Sequence, residues 1–338
     1  MSYHFKNLVF EGGGVKGIAY VGAMKILAEK GILQNIERVG GTSAGAINAV
    51  LLALNYSIEE TRKVIWDLNF NNFMDGYFGV VGGIWRVKGK YSWYKGDFFR
   101  KWIGEIIKEK TGNSEANFAD IYAQKEQKEF KDLYIVGTNL STHFSEVFSF
   151  EKTPDMPIAD AVRISMSIPL FFASKRSQRG DVYVDGGVLA NYPVKLFDRE
   201  RYVGENKRTT DYYDAHNEKL TREGIHISKY VYNKETLGFR LDSREEIGIF
   251  RDQKEPVRCN INDFVAYVKG LVQTMIDHQL NLHLHSDDWE RTIYIDASIA
   301  RTTEFDLSDE KKEALLEAGR KGVREYFAWF DKSAPINK

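Results

Sequence analysis

Two short segments near the N-terminus constrain the fold most. Leu8 to Phe10 form an apolar run that stops at Glu11 and a cluster of glycines. The chain then continues IAYVGAMKILAEKG, where Ile18, Val21, Ile26 and Leu27 recur at roughly helical spacing and Gly31 stands where a helix C-terminus favours glycine. A second short run, Arg38 to Gly41, leads through a tight turn into an apolar stretch from Ala44 to Leu54. Both read as strand, glycine turn, helix. Two such units within the first 55 residues predict an α/β fold with a mainly parallel central sheet flanked by helices.

The rest of the chain extends this pattern. Ser57 to Glu60 fits a capping box, so a helix starts there. Phe70 to Tyr94 is rich in aromatic residues and glycine and shows little regular pattern. Asp97 is expected to cap an amphipathic helix running to about Lys110. Leu133–Thr138 and Glu146–Phe150 read as strands, Pro157–Met166 as a helix and Val182–Val184 as a short strand ending at Asp185. Arg199 to Lys234 is the most polar stretch, an expected exposed excursion with Ile225 and Ile227 as local anchors. Asp263–His285 reads as a long helix, Arg291–Ile295 as a strand, and Ser308 and Glu310 open a terminal helix that reaches Phe330. With no repeat, low-complexity tract or clear linker, residues 1–338 read as a single domain: a core of about 6–197, a polar insertion of about 199–234 and an extension of about 236–338.

Composition narrows the function classes. The formal net charge is −1, with 47 Lys and Arg against 48 Asp and Glu, so there is no footprint for nucleic acid. One cysteine, Cys259, excludes an intramolecular disulfide and a multi-cysteine zinc site. The N-terminus lacks the apolar core of a signal peptide, and no window approaches the ~20 apolar residues of a membrane span. The expectation is a cytoplasmic protein, or one secreted without a signal peptide, that touches membranes peripherally.

Gly12, Gly13, Gly14, Val15, Lys16 and Gly17 match G-x-G-x-x-G between a strand and a helix. Such a turn suits a dinucleotide pyrophosphate, an oxyanion hole or plain strand–helix packing. Gly41-Thr42-Ser43-Ala44-Gly45 is a G-x-S-x-G in the same kind of context, which a nucleophile elbow requires. Asp185-Gly186-Gly187 ends a short strand, as an Asp-Gly turn or as the carboxylate that Ser43 needs. A dinucleotide enzyme would carry an acid at the tip of the second strand, roughly 20 residues past the glycines, where this chain has only Glu37, before the strand. A Ser–His–Asp hydrolase could draw its base from His226, His278 or His283. However, the elbow in that fold follows several strands and Ser43 follows about two. His278, His283 and His285, with Asp287 and Asp288, read as a solvated helix end rather than a metal site.

Taken together, Glu11–Gly17, Gly41–Gly45 and Asp185–Gly187 resemble, in this order, the three signature blocks of the patatin-like phospholipases. Ala161-Val162-Arg163-Ile164-Ser165 with Pro169, and Asn191-Tyr192-Pro193-Val194, resemble that family's accessory stretches. The resemblance covers about residues 6–197. It implies a three-layer α/β/α fold and a lipid acyl hydrolase of phospholipase A or lysophospholipase type. Ser43 would be the nucleophile and Asp185 the base, without a catalytic histidine. The backbone N–H groups of Gly13, Gly14 and Val15 would form the oxyanion hole, and Gly12, Gly17, Gly41, Gly45, Gly186 and Gly187 would complete the motifs. It further implies no metal or cofactor and a lipid partner at a membrane or micelle surface. The Phe70–Tyr94 segment, with Phe73, Tyr77, Phe78, Trp85, Trp93 and Tyr94, reads as the docking surface or as a loop packed into a small core of its own. A non-catalytic lipid-binding module on the same scaffold is the alternative.

Overall fold

The structure, a computed structural model, describes residues 3–68, 92–94, 96–177, 179–225, 227–242, 258, 260–284, 287–302 and 304–332. The main sheet has eight strands: β1 (Asn7–Phe10), β2 (Arg38–Thr42), β3 (Asp132–Asn139), β4 (Phe144–Ser149), β5 (Lys175–Arg176), β6 (Val182–Asp185), β7 (Thr236–Asp242) and β8 (Thr292–Asp296). The order is β8-β7-β1-β2-β3-β6-β5, with β4 also on β3. From β8 to β3 every pairing is parallel, whereas β4, β6 and β5 join antiparallel. β1 and β7 are buried along their whole length, as expected of central strands covered on both faces.

Side chains alternate across the sheet. Leu8, Phe10, Val39, Leu133, Ile135, Leu237, Phe239, Leu241, Ile293 and Ile295 all join one large core with the helices Ala19–Glu29, Ala44–Ala53 and Asp309–Phe330. Val9 and Tyr134 turn the other way and meet Phe197 and Tyr202. On that second face Tyr192 and Val194 pack with Ile276 of the helix Phe264–Leu284. Helices and loops therefore cover both faces, and the α/β/α layering matches expectation. The terminal helix lies unusually close to the first one: a Cβ on Gly22 would strike the Leu316 carbonyl, and one on Gly319 that of Ala19.

Several local expectations match the structure. Ser57 and Glu60 form a capping box, and the Ser308 hydroxyl caps the last helix. Others are corrected. Gly96, with φ +71°, is the N-cap of the helix Asp97–Thr111, and Asp97 sits in its first turn. Thr236–Asp242 is a central strand, and Leu237, Phe239 and Leu241 alternate along it with Thr236, Gly238, Arg240 and Asp242, a strand pattern lying inside what reads as the extension. The polar excursion holds a helix, Asp211–Arg222, anchored by buried Tyr202, Tyr213 and Tyr232, whereas Ile225 and Ile227 are exposed. Asp288 does not sit at a solvated helix end: it is buried against Arg291. The aromatic segment from Phe70 to Tyr94 lies outside the described residues except for the backbone of Ser92–Tyr94, which pairs in parallel with Leu170–Phe172. His226, Cys259 and His285 lie outside them too. Among the described residues no helix is long and apolar enough to cross a membrane.

Candidate active site

Sheet register brings the serine and the aspartate together. β2 runs parallel to β3 and its last residue, Thr42, is level with Val136. β6 runs antiparallel to β3 and its last residue, Asp185, is level with Gly137. Because β4 occupies the other edge of β3 at both positions, β2 and β6 share one edge and approach each other head-on. Both chains must leave the sheet at that seam. The first does so at Ser43, the second at Gly186, where any Cβ would collide with the Val136 carbonyl.

The exit at Ser43 is a strained elbow. Its φ of 54° and ψ of −125° lie in a region that non-glycine residues avoid, at a cost of about 1–3 kcal/mol. The helix Ala44–Ala53 begins immediately after it and is buried throughout, so its positive N-terminal end lies beside the hydroxyl. Glycine is required on the inner side of the elbow: a Cβ on Gly45 would sit 2.5 Å from the Phe10 carbonyl, and one on Gly41 would strike the Gly45 carbonyl. Ser43 itself is only 5% exposed. Its N–H donates to Ser165 Oγ (2.8 Å), and its hydroxyl donates to Met166 Sδ (3.5 Å).

Asp185 is equally buried. Its Oδ1 accepts the Gly187 N–H at 2.7 Å, while Oδ2 has no hydrogen-bond partner among the described residues. Burial pushes the carboxyl up from 3.8 to about 7, against the opposing influence of the Gly187 N–H and the nearby Ser43 hydroxyl. An ordinary aspartate is too weak a base at neutral pH, and this one is tuned into the useful range.

The glycine turn closes over the same point. A Cβ on Gly12 would lie 3.1 Å from Ser43 Cβ, and one on Gly17 would lie 3.2 Å from Ala44 Cβ. Gly14 has φ +55° and presses on the Thr302 carbonyl. Among the described residues the N–H groups of Gly13 and Gly14 have no acceptor, whereas Val15 N–H donates to Thr302 O at 3.3 Å. Of the three expected oxyanion donors, two are therefore open and the third is engaged.

The frame around these groups joins residues of the signature stretches to residues that no local motif marks. Glu11 is buried, and its carboxylate accepts Asn191 Nδ2 (3.2 Å) and Leu241 N–H (2.6 Å). Asn191 also exchanges bonds with Gly12, from Gly12 N–H to Asn191 O (3.0 Å) and from Asn191 Nδ2 to Gly12 O (3.2 Å). Gln279 accepts Asn191 N–H (3.0 Å) and donates to Val188 O (2.7 Å), holding the turn that follows Asp185. Glu11 and Asn191 lie within the quoted signature stretches, but Leu241, Gln279 and Thr302 do not. Only the fold could reveal them.

Comparison with known proteins bears on the family and the fold. Residues 8–198 match the family model for patatin-like phospholipase. A protein of Acanthamoeba polyphaga mimivirus is 31% identical over 95% of this chain and 93% of its own length. A probable lipid hydrolase of Invertebrate iridescent virus 6 is 26% identical over 63% of this chain and 69% of its own. Among solved structures, VipD from Legionella pneumophila superposes with a TM-score of 0.58 at 18% identity, covering 97% of this chain and 67% of that one. At that identity the likeness concerns the fold.

Proposed function

The chain belongs to the patatin-like phospholipase family, and on that premise we propose that it is a lipid acyl hydrolase in which Ser43 and Asp185 work as a dyad. One observation carries the reading: two strands meeting on one edge of β3 deliver a strained serine and a buried, half-satisfied carboxylate to the same point. The substrate class this suits is a carboxylic ester of phospholipid or lysophospholipid type, in keeping with the name of the family and with the iridescent virus relative, which is named a probable lipid hydrolase.

In the proposed cycle the Ser43 hydroxyl swings from Met166 Sδ to the open Oδ2 of Asp185, which takes its proton as Oγ attacks the ester carbonyl. The carbonyl oxygen becomes an alkoxide, and the N–H groups of Gly13 and Gly14 stabilise it. Val15 would join them only by releasing Thr302 O. Collapse of the tetrahedral species expels the alcohol, protonated by Asp185, and leaves an acyl group on Ser43. Asp185 then deprotonates a water that attacks the acyl-enzyme, and the fatty acid departs. A buried base suits this sequence because its proton affinity lies between those of an ordinary carboxylate and the alcohols it serves.

The test is labelling with a fluorophosphonate. Ser43 should carry the adduct, and Ser43→Ala should lose both the adduct and release of fatty acid from phospholipid vesicles. Hydrolysis that survives Ser43→Ala would sink the dyad.

A further inference from the structure

Ser165 closes the helix Ile158–Ser165 and is fully buried. A serine at a helix end ordinarily turns its hydroxyl back onto the carbonyl four residues earlier. Ser167, two residues on, does this: its Oγ donates to Arg163 O at 2.8 Å. Ser165 does not. Its hydroxyl donates to Val136 O (2.6 Å), and its Oγ accepts the Ser43 N–H (2.8 Å). Val136 is the last β3 residue paired with β2, so this one hydroxyl bridges the seam where β2 gives way to β6.

The same turn grips the other side of the site. The Ser167 carbonyl accepts the Asp185 N–H at 2.9 Å. Arg163, also buried, anchors the turn from behind: Nε donates to Gly96 O (3.0 Å), Nη1 to Ser167 Oγ (2.5 Å) and Nη2 to Ala173 O (2.9 Å). Three consecutive residues between them thus contact both members of the dyad: Ser165 holds the Ser43 backbone, Met166 Sδ accepts the hydrogen bond of its hydroxyl and Ser167 holds the Asp185 backbone.

We infer that Ser165 is a positioning residue for the nucleophile, holding Ser43 in its strained backbone conformation and aiming its hydroxyl between Met166 and Asp185. Resting on the dyad reading, this extends it to a residue that touches no reacting atom. A strained conformation persists only where its surroundings over-determine it, and the Ser43 N–H is the one backbone donor at the elbow held by a side chain. That N–H is therefore already spent, which leaves the oxyanion to Gly13 and Gly14. Without the Ser165 hydroxyl the elbow relaxes and the nucleophile drifts out of line.

The experiment uses the full-length protein and two readouts, each expressed per labellable site: the second-order rate of fluorophosphonate labelling, and kcat and KM on a soluble p-nitrophenyl ester. For Ser165→Ala the labelling rate and kcat should fall together by about tenfold or more, with KM nearly unchanged, since misplacement of a reacting group costs rate rather than binding. Val323→Ala, a cavity at a buried residue of the terminal helix that makes none of the hydrogen bonds described around Ser43 and Asp185, serves as a stability control and should leave the per-site rates intact. If Ser165→Ala fails to fold, Ser165→Cys, close in shape but a weaker acceptor, carries the same test and should show a smaller fall. Unchanged per-site rates in whichever variant folds would overturn the inference while leaving the dyad standing. An equal loss in Val323→Ala at matched Tm would overturn it as well. Labelling that persists in Ser43→Ala overturns the dyad, and this inference with it.

Discussion

Asp185 and Asp198 stand thirteen residues apart, both at 5% exposure or less, and the protein treats them in opposite ways. Asp198 meets the buried guanidinium of Arg291 through two bonds, 2.6 and 2.7 Å, and also accepts from the Tyr213 hydroxyl and the Asn233 N–H. Asp288 shares the same guanidinium. Among the described residues Asp185 receives a single N–H and keeps one oxygen without a partner. A buried charge is tolerated when its hydrogen bonds are complete. Asp198 meets that condition and ties the excursion Asp211–Arg222 to the main sheet. Asp185 does not, and the unmet demand is what fits it for the proposed role of base. The same residue type is fully paired in one place and half-satisfied in the other because of a partner that lies some 90 residues further along the chain.

The contrast can be broken at either end. The largest expected effect is in Asp185→Asn. The amide keeps the acceptor for Gly187 N–H but cannot take a proton, so turnover should fall about 10⁴-fold. The variant should at the same time be more stable than the parent at pH 8. The native carboxyl titrates near 7 and the unfolded one near 3.8, so between those values the native state holds a proton that the unfolded state has lost. Stability therefore falls as pH rises through that window, by an amount on the order of 4 kcal/mol. Denaturant titrations at pH 4 and pH 8 should show the gain of Asp185→Asn only at the higher pH. A loss of stability at pH 8 would mean that the site is satisfied in a way the geometry does not reveal.

Next in size is Asp198→Asn, which strands Arg291 with one carboxylate in place of two. Removing one member of a buried ion pair costs about 3–5 kcal/mol, and urea unfolding should register it. Turnover per labelled serine should change by less than about threefold, because none of the bonds to Asp198 reaches the elbow. A fall in per-site turnover comparable to that of Asp185→Asn would dissolve the distinction between the two aspartates.

The smallest effect is in the pH profile of the parent enzyme. The proposed base must be ionised in the free protein, so kcat/KM on a soluble ester should climb through about pH 7, losing about tenfold per unit below it. A profile flat from pH 5 to 8 would place the working base elsewhere.

How much of this was legible in the sequence follows from the range of the interactions. Ser43 and its glycines stand within five residues, and the strand–turn–helix context that gives them meaning is local too. The Ser57 and Ser308 caps are legible for the same reason. Asp185 alone reads more readily as an Asp-Gly turn than as a catalytic carboxylate, and the order of the three blocks is what distinguishes it. The role of Glu11, a buried acid holding Leu241 and Asn191 in place, depends on contacts across about 180 to 230 residues. Gln279 and Thr302 show no local pattern at all, because what they contribute is one amide group and one backbone carbonyl at a meeting point set by the fold. The anchors of the excursion were misjudged for a related reason. Ile225 and Ile227 are apolar but lie beyond the helix, while Tyr213 is buried because its hydroxyl finds Asp198.

The place of β1 in the sheet has a consequence for synthesis. The first strand made is bordered by β2, available almost at once, and by β7, which begins only at Thr236. A nascent chain made as far as Gly187 holds the three signature blocks but lacks Leu241, Gln279 and Thr302. One edge of its middle strand is open, and its glycine turn has nothing to press against. At translation rates of about 5–20 residues per second, that state lasts several seconds or longer. During that interval Ser43 exists as sequence without the full set of contacts that frame its elbow, so the proposed active site would be complete only once the last third of this sequence has been made.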